Sequence, residues 1–259
     1  MLVLLPPSEG KTAPRRRGPL LDLDALSAPG LNPVREKVLD ALIQVSASPD
    51  AMRVLGVGTS LSEEVAHNVT LRTASTAPAK HVYSGVLYAA AGLDRLTPTG
   101  RARAADSVRI VSGLWGLVAP DDPIPAYRLS MATHLPGIGH LPGAWREVIG
   151  DELQARAEGE LVVDCRSATY LAAWHPPRSA DWVSVRVLRE LDGRRSVVSH
   201  NAKHTRGVLT RHLLTRRGRA PHDAESLARV AGELVGSTLL AVELGPATRG
   251  ARTLELVVA

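Results

Sequence analysis

Residues 108–131, VRIVSGLWGLVAPDDPIPAYRLSM, constrain the fold more than any other stretch of the chain. Val108, Ile110 and Val111 are apolar and β-branched, as a buried strand requires, and Gly113 and Gly116 allow the backbone to turn tightly after it. Pro120, Pro123 and Pro125 then exclude a regular helix or a central strand. The result is a stiff loop at a strand end that carries Trp115, Asp121, Asp122, Tyr127 and Arg128. The same residues also suit a rigid connector whose Asp and Pro residues only make turns.

Other strand ends repeat the pattern. The apolar run 2–5 empties into PPSEGKT at 6–12, and the run 161–164 empties into Cys165, Arg166 and Ser167. PPSEGKT is not a phosphate loop of the Walker type, because the glycine required five residues before the Gly-Lys pair is replaced by Leu5. It is a polar loop at a strand's carboxyl end, where open α/β sheets bind ligands, and Ser8, Glu9, Lys11 and Thr12 can reach a bound group. Lys11 is one of only four lysines.

Between these strands the sequence predicts helices. Asn32 and Pro33 open one, with Val34, Val38, Leu42 and Val45 at helical spacing, and Ser48-Pro49 ends it. Others are expected from Ser60 or Ser62, after Thr97-Pro98, around Trp145 to Leu153, after Asn201, and over 223–235. Further strands are expected at 182–188, at Val197 and Val198, and at 254–258. The fold class is therefore α/β: a single mixed-sheet domain, 1–259, with surrounding helices, no repeats and no interdomain linker. No run of 18 apolar residues and no signal pattern occurs, so a cytoplasmic protein with no membrane contact is expected. The single cysteine, Cys165, excludes an internal disulfide and makes a thiolate zinc site unexpected.

Charge points to polyanions. The formal net charge is +5, and residues 186–219 hold ten Arg or Lys against Glu190 and Asp192, with His200, His204 and His212 added. Such a cluster suits phosphate-backbone contact, although a merely solvated basic face has the same composition. Arg101 and Arg103 add to it. Residues 135–139, LPGIG, are similar to the hairpin of helix-hairpin-helix DNA-binding motifs, in which Gly137 and Gly139 would turn backbone N–H groups toward a phosphate. His200 and His204 share a helix face, but no HExxH context or carboxylate accompanies them, so no metal is expected. No motif implies a cofactor.

Taken in order, PPSEGKT, the Tyr83-Ser84-Gly85 to Tyr88 step, SGLWGLVAPDDPIPAYRLSM, the SATY step at 167–170 and NAKHTRG at 201–207 resemble the YaaA family, which is associated with peroxide stress. Together they span nearly the whole chain. PPSEGKT differs from the family's shorter Ser-Pro-Ala-Lys-Thr loop by an acidic residue and a glycine, Glu9 and Gly10. The resemblance implies a cytosolic single-domain α/β fold with a basic cleft, a helix-hairpin-helix-like element and double-stranded DNA binding.

Two functions are therefore expected from the residues. In one, largely sequence-independent phosphate contacts to double-stranded DNA are made by the basic cluster, Gly137 and Gly139. In the other, the strand-end loops form a cleft for a nucleobase, nucleotide or damaged DNA, with Lys11, Asp122, Tyr127, Arg128 and Lys203 as catalytic candidates. Ser8, Thr12, Tyr83, Trp115, Asn201, Arg206 and Arg211 are the accompanying ligand-binding candidates. The second expectation requires Lys11, Asp122, Arg128 and Lys203 to share one cleft.

Overall fold

The structure, a computed structural model, describes residues 1–197, 200–248 and 250–259, with His200 described by its backbone alone. Eight strands form its main sheet: β1 (Leu2–Leu5), β2 (Val108–Ser112), β3 (Gly116–Val118), β4 (Leu161–Asp164), β5 (Asp181–Leu191), β6 (Arg194–Val197), β7 (Ala241–Leu244) and β8 (Ala251–Val258). Their order is β7-β8-β5-β4-β1-β2-β3, and β6 pairs with β5. The five inner strands, β8, β5, β4, β1 and β2, run parallel, whereas β3, β6 and β7 are antiparallel additions.

The burial pattern follows from this arrangement. Parallel strands covered on both faces need no polar positions, and all four residues of β1 and of β4 are buried. By contrast, β6 is exposed along its length and carries Arg194 and Arg195, charge that discourages further strand addition. β6 completes the pairing of the long β5: β4 takes Asp181 to Ser184, and β6 takes Leu188 to Leu191. The strand expected at Val197 and Val198 ends at Val197, and Val198 lies outside the described residues.

The principal helices are α1 (Asn32–Ser46), α2 (Val86–Ala91), α3 (Pro98–Ser107), α4 (Leu141–Ala157), α5 (His200–Thr215) and α6 (Ala224–Gly232). α5 packs against α2, α3, α6 and β5, and α1 packs against α4. Thr97 caps α3 by accepting from the Gly100 N–H at 3.2 Å, and Asp223 caps α6 in a reciprocal capping box with Ser226. Asn32 does not cap α1: its amide donates to Asp24, and its oxygen accepts from Arg35 at 2.8 Å. No helix among the described residues is long and apolar enough to cross a membrane.

Two glycines set the spacing. Gly116 turns β2 back into β3 at φ +68°, and a Cβ there would lie 2.5 Å from the Trp145 ring. Gly207 lets α5 cross α2 at close range, since a Cβ on it would sit 2.3 Å from the Leu87 carbonyl and 2.8 Å from Ala90. Neither backbone can yield without moving a helix. A Gly207→Ala protein is expected to lose about 1–3 kcal/mol, the typical cost of overpacking, measurable as a lower urea midpoint with an unchanged slope.

The LPGIG segment differs from the expected helix-hairpin-helix. His134–Leu135 pairs antiparallel with Gly139–His140, forming a β-hairpin that leads directly into α4, and no helix precedes it. Gly137 and Gly139 adopt φ +77° and +85°, so their freedom is spent on the hairpin turn. The proline-rich loop is also more regular than its composition suggests, because Pro123–Ile124 forms a short ladder with Ala77–Pro78.

Candidate functional site

β1 is the switch point of the sheet: the strand next in the parallel set, β2, lies on one side of it and β4 on the other. Loops leaving β1, β2 and β4 therefore diverge around a crevice at their carboxyl ends. A cavity of about 350 Å³ occupies that crevice. Ser8, Glu9 and Lys11 line it from the loop after β1, Arg128 and Ser130 from the loop that follows the β2–β3 hairpin, and Ser167, Thr169 and Tyr170 from the loop after β4. Lys203 and Arg206 close it from the first turns of α5.

Lys11 is the most constrained of these groups. Its Nζ donates to the Ser8 and Glu9 carbonyls at 2.9 and 3.2 Å and lies 4.2 Å from the centre of the Tyr127 ring and 5.8 Å from that of Tyr83. Burial, reinforced by the Arg128 charge, pushes the Lys11 pKa down to about 7, against the raising influence of Glu64 and Glu9. Arg128 donates to the Glu9 carbonyl at 3.3 Å and pairs with Glu64 at 3.8 Å. Arg206 is anchored by two hydrogen bonds, at 3.2 and 2.8 Å, to the Val185 carbonyl of β5.

The chain has four tyrosines, and all four surround this site. Tyr83 and Tyr127 share a hydroxyl contact of 3.0 Å, and the Ser112 hydroxyl reaches Tyr127 at 2.7 Å. Tyr88 donates to the Pro6 carbonyl at 2.8 Å. Tyr170 lines the cavity itself. Burial pushes the phenols of Tyr83, Tyr88 and Tyr127 upward, so they stay neutral beneath Lys11. Ser8 fixes the loop to this floor, accepting from the Ser84 N–H at 3.0 Å.

Lys11, Arg128 and Lys203 thus meet in one cavity, with Ser8 and Arg206 beside them. Asp122 does not join them. Its carboxylate accepts from the Ser27 N–H and hydroxyl at 3.1 and 2.6 Å and from the Ala119 N–H at 2.9 Å, which fixes the proline-rich loop. Trp115 is fully buried in the core, edge-on to Tyr127, and is not available as a stacking platform. Thr12 faces a separate groove with Pro14 and His81. Asn201 is exposed in the first turn of α5, Arg211 reaches the Gly92 carbonyl at 3.5 Å, and Gly137 and Gly139 lie in the hairpin and do not line the cavity.

Several residues that build the site were not anticipated. Asp164 and Arg166, both with fully buried side chains, form a bidentate pair at 2.9 and 2.7 Å, and the Trp182 indole adds a hydrogen bond to Asp164 at 3.2 Å. This pair sets the direction of the loop that carries Ser167 and Tyr170. Arg35, also fully buried, donates to the Trp115 and Leu117 carbonyls at 3.0 and 2.7 Å and so supports the β2–β3 hairpin. Cys165 is fully buried, and that burial pushes its thiol up to about 12.

The basic cluster is partly neutralised by acids from elsewhere. Arg186 pairs with Glu255, Arg195 with Glu190 and Glu243, and Arg216 with Glu233. Arg103 is occupied by the Arg216 and Gly218 carbonyls. The histidine pair expected on α5 rests on His200, whose side chain lies outside the described residues.

A family model described as peroxide stress protein YaaA matches residues 1–232. A UPF0246 protein of Streptomyces coelicolor is 44% identical over 238 residues, covering 90% of each chain. One from Corynebacterium efficiens is 42% identical over the full length of both, and one from Cereibacter sphaeroides is 32% identical over 86% of this chain and 90% of its own.

Proposed function

The chain belongs to the peroxide stress protein YaaA family, and from that membership we propose that it serves the peroxide stress response by holding a phosphate-bearing, nucleotide-like ligand in the cavity beside β1. The observation that carries this reading is the convergence of Lys11, Arg128, Lys203 and Arg206 on one enclosed space at the sheet's switch point. Among the described residues, Glu9 is the one carboxylate in the lining. Arg supplies forked donors suited to phosphate oxygens, and a lysine adds a mobile point charge. A volume near 350 Å³ lies within the range of small-molecule sites and is sized for one nucleotide unit.

Calorimetric titration with AMP tests this. Lys203→Ala and Arg206→Ala are each expected to weaken binding about tenfold, the usual magnitude for one charge-assisted contact. Absence of AMP binding, or binding untouched by both substitutions, overturns the reading.

Double-stranded DNA is the second reading, favoured by a specific observation: Arg101, Arg189, Arg194, Arg217 and Arg219 are exposed, and none has an ion-pair partner among the described residues. Duplex affinity on such a surface falls steeply with salt and is indifferent to Arg206. A duplex affinity that does not change between low and moderate salt rules this second reading out.

A further inference from the structure

Lys11 is placed as a nucleophile rather than as a simple counter-charge. A lysine whose role is only to attract phosphate benefits from a carboxylate that keeps it charged, and from water around it. Among the described residues no carboxylate hydrogen-bonds Lys11, and its side chain is partly withdrawn from solvent. Among the described residues its Nζ bonds only neutral carbonyls, of Ser8 and Glu9, and it rests against the Tyr127 ring. The charged groups that face it are Glu9 on its own loop, Arg128, which donates to the same Glu9 carbonyl, and Glu64, which pairs with Arg128, while Lys203 and Arg206 also line the cavity. Tyr83 and Tyr127 below it are neutral. Desolvation beside another cation is how a lysine amine is made available as a nucleophile near neutral pH.

The cations that share the cavity with Lys11 define what it would meet. An anion held by Arg128, Lys203 and Arg206 would lie within the same cavity as Lys11, so the reacting group and the phosphate would belong to one small molecule or one nucleotide unit. We propose that Lys11 forms an imine with a phosphorylated aldehyde or ketone, an inference that rests on the cavity's phosphate-binding reading. The neutral Nζ attacks the carbonyl carbon. The N–C bond forms as the carbonyl π pair moves to oxygen, and proton transfer from nitrogen gives a carbinolamine. Cleavage of its C–O bond, with a proton added to the departing oxygen and the remaining N–H proton lost, yields the imine and one water. No oxidant or reductant takes part. The carbonyl has two sources of the same chemistry: a free open-chain sugar phosphate, or the aldehyde of an abasic nucleotide within DNA.

The experiment is reductive trapping at pH 7 with cyanoborohydride, whose hydride converts the imine to a stable secondary amine. The carbonyl is supplied in one arm by glyceraldehyde 3-phosphate and in the other by an oligonucleotide with one abasic site. With only Lys11, Lys37, Lys80 and Lys203 in the chain, peptide mapping assigns every modified position. Lys37 is exposed and serves as the internal reference. The Lys11 peptide is expected to be modified at least about tenfold faster than that of Lys37, because far more of its amine is neutral. The rate should rise through a midpoint near 7, and Lys11→Arg, which keeps the charge but loses the amine, should leave only the slow trapping shown by Lys37. The faster arm identifies the source.

Trapping of Lys11 no faster than Lys37 in both arms overturns the proposal. Titration with glycerol 3-phosphate, which has no carbonyl, separates that failure from a failure of the underlying reading. If this ligand binds and weakens on Arg206→Ala, the phosphate site stands and only the imine is lost. If it does not bind, the phosphate site itself is wrong and the imine proposal falls with it.

Discussion

A Lys11→Met protein is expected to be more stable than the unsubstituted chain at pH 6, and this advantage is expected to disappear by pH 10. The folded pKa of Lys11 is displaced from 10.5 to about 7. Below pH 7 both the folded and unfolded states carry the ammonium, and the folded state bears the full penalty of its burial. Between about 7 and 10.5 the unfolded chain binds a proton that the folded one does not, so stability rises with pH across that window. At about 1.4 kcal/mol per pKa unit the displacement corresponds to on the order of 5 kcal/mol. Partial solvent access and the lost contacts to the Ser8 and Glu9 carbonyls reduce the expected gain to on the order of 2–3 kcal/mol. Chemical denaturation at pH 6 and pH 10 measures it. A Lys11→Met protein that is less stable at pH 6 shows that the ammonium is a structural clasp.

The second large effect is expected at Asp164. Its carboxylate accepts four hydrogen bonds, from the Arg166 backbone N–H at 3.1 Å, from two N–H groups of the Arg166 guanidinium and from the Trp182 indole of β5. Asp164→Ala leaves the guanidinium of Arg166 buried without its partner, a loss of about 3–5 kcal/mol. Replacing both residues together, Asp164→Val with Arg166→Met, should be far milder, because no uncompensated charge remains. Urea unfolding of the single and double variants decides this. Equal losses in both would mean that the pair contributes packing and no electrostatic constraint.

Which parts of the site were legible in the sequence follows from the kind of signal each residue leaves. An apolar run that breaks into a polar loop marks a strand end whatever the sheet order, so the loops after β1, β2 and β4 could be read directly. The rarity of lysine marks Lys11, and Lys203 is marked by its place in the NAKHTRG run at the opening of a helix. Asp122 could not be separated from a working carboxylate, because an acid that accepts backbone N–H groups in a proline-rich loop has the same local sequence as one that faces a ligand. Gly137 and Gly139 were read through a five-residue resemblance, and the φ values that allow one kind of hairpin allow the other. Arg35 and Arg166 were invisible for a different reason: an arginine is assumed to be solvated, and only the three-dimensional neighbours reveal the carbonyls and carboxylate that hold it inside. The charge of residues 186–219 was overestimated because Glu233, Glu243 and Glu255 arrive from later in the chain.

The strand order has a consequence for the order of events during synthesis. Val3 pairs with Val108 on one side and Val163 on the other, so the central strand is made long before either neighbour exists. At roughly 5–20 residues per second, the apolar β1 waits many seconds for its partners. Local helices such as α1 can form meanwhile, but the sheet nucleates only when long-range pairing closes. The cavity, whose walls hang from β1, β2 and β4 and are completed by α5, is consequently among the last features to assemble. A nascent chain arrested just before α5 would hold β1 with both of its neighbours, but a ligand cavity still lacking the wall that carries Lys203 and Arg206.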